Sequence, residues 1–128
     1  MRILLDTHAF LWFFVGDERL SQVARSAIES SDHENFLSVA SLWEIAIKTS
    51  LGKLHLASSF EAVMTQALAE LAISVLPITL RQLVNVAQLP FHHRDPFDRL
   101  IAAQARTEKL IVVSGDEVFD SYGVNRWW

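Results

Sequence analysis

Apolar residues fall into short continuous runs that alternate with longer segments of helical periodicity. Four of these runs are β-branched or leucine-rich, at residues 2–5, 36–39, 74–78 and 110–114. Continuous runs of this kind are typical of strands that are covered on both faces of a parallel sheet. A short last strand is expected over residues 124–127. The pattern therefore predicts a mainly parallel sheet of four to five strands.

The segments between the runs predict helices over residues 8–14, 21–30, 42–51, 58–72, 80–89 and 96–108. Ser21 and Thr79 are candidate N-caps, and Ser58 precedes Glu61 with the spacing of a capping box. Gly52 is suited to ending the third helix. Strands that alternate with helices through crossovers of this length predict one α/β domain over residues 1–128.

Composition narrows the class of protein. The chain has 128 residues, 51% of them hydrophobic, and no cysteine. These values exclude a disordered chain and a disulfide scaffold, and they fit a reducing, cytoplasmic setting. The apolar run at residues 9–15 is far shorter than the roughly 20 residues that span a bilayer, so no membrane association is expected. The apolar surplus predicts a homo-oligomer or an obligate partner.

The charge balance argues against nucleic-acid binding by bulk charge. Eleven Lys and Arg residues stand against fifteen Asp and Glu residues, which gives a net charge of −4. A negatively charged chain repels the phosphate backbone. Binding of a nucleic acid would therefore need a local basic surface or a metal ion.

Four acidic residues lie at positions that topology can bring together. Asp6 ends the first predicted strand, and Asp116 follows the fourth. Glu44 and Asp98 fall in the first turns of predicted helices. Because ligands collect beyond the carboxyl ends of parallel strands, we expect Asp6, Glu44 and Asp116 at one edge of the sheet. The loop at residues 90–94 leaves Asp98 less constrained.

Local structure offers an alternative role for three of these acids. Ser41 and Glu44 match a capping box. Asp95 is a candidate N-cap, with Pro96 at the first helical position and Asp98 favoured by the helix dipole. Asp116 could be an ordinary turn residue. Asp6 alone has no evident structural duty.

A cluster of four carboxylates needs a compensating cation. Each close pair would repel by about 1–4 kcal/mol at effective dielectric constants of 80 to 20. Oxygen-only sites favour Mg²⁺ or Mn²⁺ over zinc. Such metals support phosphoryl chemistry by activating water and stabilising the leaving oxygen, and a carboxylate free of metal could orient the water.

Four blocks of the sequence resemble the PIN-domain ribonucleases, in particular the VapC-type toxins of bacterial toxin–antitoxin pairs. The blocks are LLDTH at 4–8, SLWEIAIK at 41–48, HHRDPFDRLIAAQA at 92–105, and VSGD at 113–116 followed by Phe119 and Tyr122-Gly123-Val124. They occur in the family's order and extend along the whole chain. The third block is the most specific of them.

The resemblance implies a Mg²⁺- or Mn²⁺-dependent endoribonuclease that produces 3′-hydroxyl and 5′-phosphate ends. It implies that Asp6, Glu44, Asp98 and Asp116 are the acidic site residues, with Asp6 and Asp98 as the leading metal ligands. Asp116 corresponds to the last acid of the family, which is the most variable of the four. A cognate antitoxin that covers the active site, and commonly a homodimer, are also implied.

Several further residues carry a functional and a structural interpretation. Lys48, Arg94 and Arg99 flank the acidic blocks and are candidates to bind RNA phosphates, although Arg99 could pair with a carboxylate instead. Asp95 is expected to cap a helix, and His8 is expected to lie at the surface. For both residues, direct contact with the site is the second interpretation. The aromatic run at residues 10–14 predicts a buried helix that could contribute to an antitoxin groove. Trp127 and Trp128 are expected to pack against the sheet edge or a partner.

Rival functions differ in testable features. A phosphatase with Asp6 as nucleophile would have a second aspartate two residues later, where this chain has His8. A phospho-receiver domain would have paired acids after the first strand and a lysine after the last. A catalytically silent PIN-like interaction module would share the fold but bind no divalent metal.

Overall fold

The central sheet contains five strands, all parallel. The structure, a computed structural model, describes residues 1–128. The strands are β1 (Arg2–Leu5), β2 (Glu34–Ser38), β3 (Ile73–Leu76), β4 (Ile111–Val113) and β5 (Arg126–Trp127), in the order β3-β2-β1-β4-β5. The predicted α/β class and strand number are confirmed.

Seven helices connect the strands. They are α1 (Thr7–Val15), α2 (Gln22–Glu29), α3 (Val39–Ser50), α4 (Phe60–Glu70), α5 (Leu80–Gln88), α6 (Pro96–Glu108) and α7 (Val118–Ser121). Ser21 and Thr79 cap α2 and α5 as predicted, and Thr79 forms a complete capping box with Gln82. The sequence pattern did not predict α7, because one turn of helix has too few residues to show a period.

The helices cover both faces of the sheet, which produces two separate cores. Ile3 and Leu5 of β1 pack into a cluster with residues of α1, α2, α3 and α4, whereas Leu4 packs into a second cluster with α6 and α7. This alternation follows from the opposite directions of successive side chains along a strand. Each of these three side chains is fully buried, which contributes about 1.5–3 kcal/mol apiece. The sheet edge that carries the acidic residues is thereby held rigidly.

Three boundaries differ from the prediction for local reasons. The hydroxyl of Ser38 accepts a hydrogen bond from the Ala40 amide, so β2 ends there and Val39 begins α3 instead of ending the strand. Ser59, one residue later than expected, caps α4 by accepting from Ala62. Because Ser38 caps α3, this helix starts three residues before its predicted position, and Glu44 falls in its second turn.

Helix α1 is less buried than its composition predicts. Phe10 is fully buried, but Leu11, Trp12, Phe13 and Phe14 remain partly exposed. They lie against the rim of the first core without being enclosed. The prediction of a buried helix is therefore confirmed in part, and among the apolar residues of α1 only Val15 is largely exposed.

Candidate active site

Asp6 lies at the carboxyl end of β1, in the middle of the sheet. The residue is 6% exposed, and its Oδ1 accepts a hydrogen bond of 2.7 Å from the Ala9 amide as the N-cap of α1. Its Oδ2 accepts from the Ser114 hydroxyl, which follows β4. Asp6 thus has a structural duty that the sequence did not reveal. The cap also fixes the direction of its carboxylate.

Asp116 lies beside Asp6 in the loop after β4. Its amide donates to the Ser114 hydroxyl at 3.0 Å, and its Oδ1 accepts from the Val118 amide at 3.0 Å. The negative charge of Asp116 is one of the influences that raise the pKa of Asp6. Asp116 is exposed and also acts as a turn residue, so both interpretations of this acid describe its position.

Glu44 faces the same region from α3, but it is not a capping residue. Because Ser38 caps the helix, Glu44 falls in the second turn and the expected capping box with Ser41 does not form. Its Oε1 accepts a hydrogen bond of 2.7 Å from the Thr7 hydroxyl, directly after Asp6 in the chain. Its Oε2 pairs with the Lys48 ammonium at 2.9 Å. The Glu44 carboxylate therefore already has a hydrogen-bond donor and a cationic partner within the protein.

Asp98 enters the region from the first turn of α6. Asp95 caps this helix, as predicted, by accepting hydrogen bonds from the amides of Phe97 and Asp98 at 2.9 and 3.1 Å. Burial is the largest influence on the Asp98 carboxyl, and the charges of Asp95 and Asp6 add to it. Together they raise its pKa from 3.8 to about 6. His93 opposes this increase from 3.4 Å.

Asp6 and Asp98 form an inner pair of carboxylates that share an electrostatic environment. Burial raises the pKa of Asp6 as well, and the hydrogen bonds from Ser114 and Ala9 only partly oppose it. The charge of Asp6 also contributes to the raised pKa of Asp98, so the two carboxylates are linked electrostatically. An ionised pair of this kind favours binding of a cation, which would replace the lost hydration.

The donor set fits a hard divalent cation in chemistry, although no complete coordination shell is preformed. The available donors are carboxylate oxygens, which suit Mg²⁺ or Mn²⁺, and the chain has no thiol. No group of three or more Asp, Glu or His side chains stands ready around one point. Mg²⁺ is commonly held by only one or two carboxylates and keeps several waters. Asp6 and Asp98 are the residues that could supply them.

The three predicted phosphate-binding residues have different surroundings. Arg94 is exposed, and Lys48 is partly exposed while it pairs with Glu44. Arg99 is 5% exposed, and its guanidinium donates to the carbonyl oxygens of Pro90 and Leu89 at 2.8 and 3.3 Å. The prediction that Arg99 binds phosphate, and the alternative of a carboxylate partner, are therefore wrong. The side chain instead ties down the loop that leads into α6.

A hydrogen-bonded chain next to Asp98 was missed at the sequence level. The Tyr122 hydroxyl accepts from Arg99 at 3.2 Å and hydrogen-bonds His93 Nδ1 at 2.8 Å. His93 Nε2 then lies 3.4 Å from Asp98 Oδ2. Histidines at adjacent positions gave no metal-ligand spacing, and only the position of His93 at the start of the third block pointed to the site.

An open cavity of about 350 Å³ adjoins the acidic edge. It is lined by Asp6, His8, Trp12, Arg19, Gly115, Asp116 and Trp128. Trp128 is half-buried against the first core, in agreement with the expectation that it packs at the sheet edge. The cavity therefore joins two carboxylates to an aromatic and cationic wall.

Comparison with known proteins identifies the family. Residues 3–125 match the PIN domain, so the chain belongs to the PIN-domain family. At the level of whole sequences, no curated protein matches it. No helix combines the length and the apolar character that crossing a membrane requires.

Solved structures share the fold at low sequence identity. A structure of VapBC2 from Rickettsia felis, bound to a DNA fragment from its promoter, matches with a TM-score of 0.74, 14% identity and coverage of 100% of both chains. DNA-bound VapBC from Salmonella typhimurium matches with a TM-score of 0.68, 18% identity and coverage of 98% of this chain and 96% of that one. FitAcB from Neisseria gonorrhoeae matches with a TM-score of 0.67 and 20% identity, again with coverage of 98% of this chain and 96% of that one. The predicted resemblance is thus confirmed at the level of family and fold.

Proposed function

We propose that the protein is a Mg²⁺- or Mn²⁺-dependent endoribonuclease that acts in the cytoplasm as the toxin of a toxin–antitoxin pair. The observation that carries this proposal is the inner pair of Asp6 and Asp98. Both carboxylates have raised pKa values, and Asp6 lines an open cavity at the carboxyl edge of a parallel sheet. Perturbed carboxylates in a cleft indicate a functional site, and this edge is where such folds bind ligands.

The acidic residues would divide the work according to their surroundings. Asp6 and Asp98 would hold the cation, which when bound supplies an activated water and neutralises charge on the phosphate. Glu44, held by Thr7 and Lys48, would complete the site or orient the attacking water. Asp116, already bonded to the Val118 amide, would shape the pocket or support a second cation. Water attack would leave 3′-hydroxyl and 5′-phosphate ends.

Lys48 and Arg94 remain the residues that we propose to contact RNA phosphates. Both have accessible cationic groups near the acidic blocks. Such contacts position a substrate and make its affinity depend on salt. A chain with a net charge of −4 would rely on these local cations and on the bound metal.

The groove beside α1 supports the proposal of an antitoxin partner. A cavity of about 510 Å³ is lined by Leu11, Phe14 and Val15 of α1 and by Leu54 and Leu56 of the loop between α3 and α4. These side chains are not enclosed by the core, and a contiguous apolar surface of this kind marks an interaction site. The matched VapBC structures are complexes by description, which agrees with a protein partner.

The outer face of α5 supports the proposal of a homodimer. Leu80, Leu83 and Val84 lie at helical i, i+3, i+4 spacing and are 79%, 45% and 51% exposed. Helix α5 follows β3, the edge strand of the sheet. A two-fold contact between such faces would cover the apolar residues of both copies.

Cleavage of RNA tests the proposal against the alternative of a silent PIN-like interaction module. The partner-free protein should cleave single-stranded RNA with Mn²⁺ or Mg²⁺ and lose this activity with a chelator. Asp6→Asn should abolish cleavage while antitoxin binding persists. Full metal-dependent activity in Asp6→Asn would overturn the assignment of the site, and a wild-type protein that cleaves no RNA with either metal would favour the silent module.

A further inference from the structure

Trp128 has a position that packing of the core alone does not require. The ring is half-buried and lines the cavity that contains Asp6 and Asp116. A Cβ atom added at Gly115 would stand 2.9 Å from Trp128 Cε2, so the indole rests directly on the glycine backbone. Since Gly115 separates Ser114 from Asp116, the indole lies against the loop that carries the acidic edge. The ring is thereby fixed next to the proposed site.

A second aromatic residue and a cation line the cavity next to Trp128. Trp12 lies 6.0 Å from Trp128 between ring centroids, with the planes tilted by 57°. The Arg19 guanidinium stands 4.7 Å from the Trp12 ring centre, and Asp17 holds it through a contact of 2.7 Å. His8 stacks on Trp12 at 5.3 Å. The cavity therefore places an aromatic surface and a positive charge directly beside carboxylates.

We propose that Trp128 is a base-stacking residue that, with Trp12 and Arg19, forms a subsite for one nucleobase and its phosphate beside the cleaved bond. This inference rests on the proposed ribonuclease function and names the part of the substrate that the cavity binds. A single RNA strand alternates flat bases with anionic phosphates, and proteins hold such strands by aromatic stacking together with cationic side chains. Arg19 would contact the phosphate, while the acidic edge acts on the neighbouring bond.

The shape and chemistry of the cavity favour RNA over a segment of a protein partner as its occupant. Two of its lining residues are carboxylates and one is a guanidinium, so charged groups stand beside the two tryptophan rings. The aliphatic side chains suited to an apolar helix lie in the adjoining groove formed by α1 and the 54–56 loop, which shares His8, Trp12 and Arg19 with this cavity but not its carboxylates or Trp128. Stacking against tryptophan tolerates every base, so the subsite would set the register of the strand without choosing its sequence.

The test compares Trp128→Leu with Trp127→Leu in steady-state cleavage of a short single-stranded RNA. Loss of one stacked base should raise KM by about 5- to 150-fold in Trp128→Leu, with kcat little changed. Trp128→Phe, which retains an aromatic ring, should stay within a few-fold of wild type. Trp127 lies in β5 and faces His33 at 5.5 Å, away from the cavity, so its variant is the matched control for lost packing. Thermal unfolding verifies that each variant is folded.

Single abasic positions introduced along the RNA sharpen this test. One position near the cut should raise KM in the wild type but not in Trp128→Leu, because that variant has already lost the stack. A KM in Trp128→Leu that equals that of Trp127→Leu would overturn the subsite while leaving the ribonuclease intact. Weaker antitoxin binding with unchanged KM would also overturn it and assign the cavity to the protein partner.

Binding of the same RNA, measured by tryptophan fluorescence, separates the two levels of the proposal. Wild-type protein that binds the RNA and quenches its fluorescence through Trp128, but does not cleave with Mn²⁺ or Mg²⁺, would overturn the nuclease and keep the subsite. Wild-type protein that neither binds nor cleaves would overturn both.

Discussion

The two pairs of carboxylates at the sheet edge differ in what compensates their charge. Glu44 contacts the Lys48 ammonium and the Thr7 hydroxyl, and Asp116 accepts a hydrogen bond from the Val118 amide. Asp6 is buried and Asp98 is half-buried, and both have raised pKa values in spite of their hydrogen bonds. Carboxylates that served only as helix caps would not need surroundings that raise their pKa values. This difference agrees with our proposal that the inner pair holds a cation and that the outer pair assists it.

The largest expected effect separates the pairs by activity. Asp6→Asn and Asp98→Asn should each reduce metal-dependent RNA cleavage by at least about 10²–10³-fold, because the charge that binds and orients the metal is lost. Glu44→Gln and Asp116→Asn should retain at least about tenfold more activity than either inner variant. Initial rates at saturating Mn²⁺ measure this order. Equal losses in all four variants would remove the distinction.

The buried arginine near the inner pair should affect stability more than any exposed cation does. Arg99→Lys keeps the charge but cannot reach all the carbonyl groups that the guanidinium contacts. We expect it to lower the free energy of unfolding by about 2–4 kcal/mol, because buried acceptors lose their donors. Arg94→Lys, at an exposed position, should change it by less than about 0.5 kcal/mol. Urea unfolding compares the two, and a stable Arg99→Lys protein with raised KM would restore the phosphate-binding role.

The raised pKa of Asp98 predicts a pH dependence of stability in the metal-free protein. Because its folded-state pKa is about 6 instead of 3.8, the folded protein holds this proton more tightly than the unfolded chain. The resulting stability is complete below about pH 4 and is lost as the pH rises through 6, with a change on the order of 2 kcal/mol. Unfolding in the presence of a chelator measures the loss, and Asp98→Asn should reduce it. A wild-type curve that rises over this range would contradict the assigned direction.

The smallest expected effect concerns the partner of Glu44. Lys48→Ala removes an i, i+4 ion pair that is partly exposed, so stability should fall by no more than about 0.5 kcal/mol. Affinity for RNA should fall, and the slope of its logarithm against log salt should decrease by about 1 if Lys48 contacts one phosphate. An unchanged slope would assign Lys48 to positioning Glu44 alone.

The fold and the outline of the acidic edge could be predicted because they depend on local signals and topology. Apolar runs marked the strands, and parallel connections brought Asp6 and Asp116 to one edge. The alternative capping role of Glu44 was wrong because two serines compete to start α3, and only the end of β2 decides between Ser38 and Ser41.

Contacts between distant parts of the chain could not be predicted in this way. The burial of Arg99 depends on a loop folding over it, and its charged side chain gives no periodic signal. The hydrogen bond between His93 and Tyr122 joins residues that are 29 positions apart in the sequence. The packing of Trp128 on Gly115 likewise depends on where β5 pairs. Such relations arise from tertiary packing, which one sequence does not encode in any local pattern.

Calorimetric titration of Mn²⁺ into the partner-free protein tests the central claim most directly. We expect the wild type to bind the cation with release of protons, since the raised pKa values leave part of the inner pair protonated near pH 6. Asp98→Asn should bind at least tenfold more weakly, whereas Asp116→Asn should retain most of the affinity. A wild type that binds no Mn²⁺, or an Asp98→Asn protein that binds it as tightly as the wild type, would contradict the account.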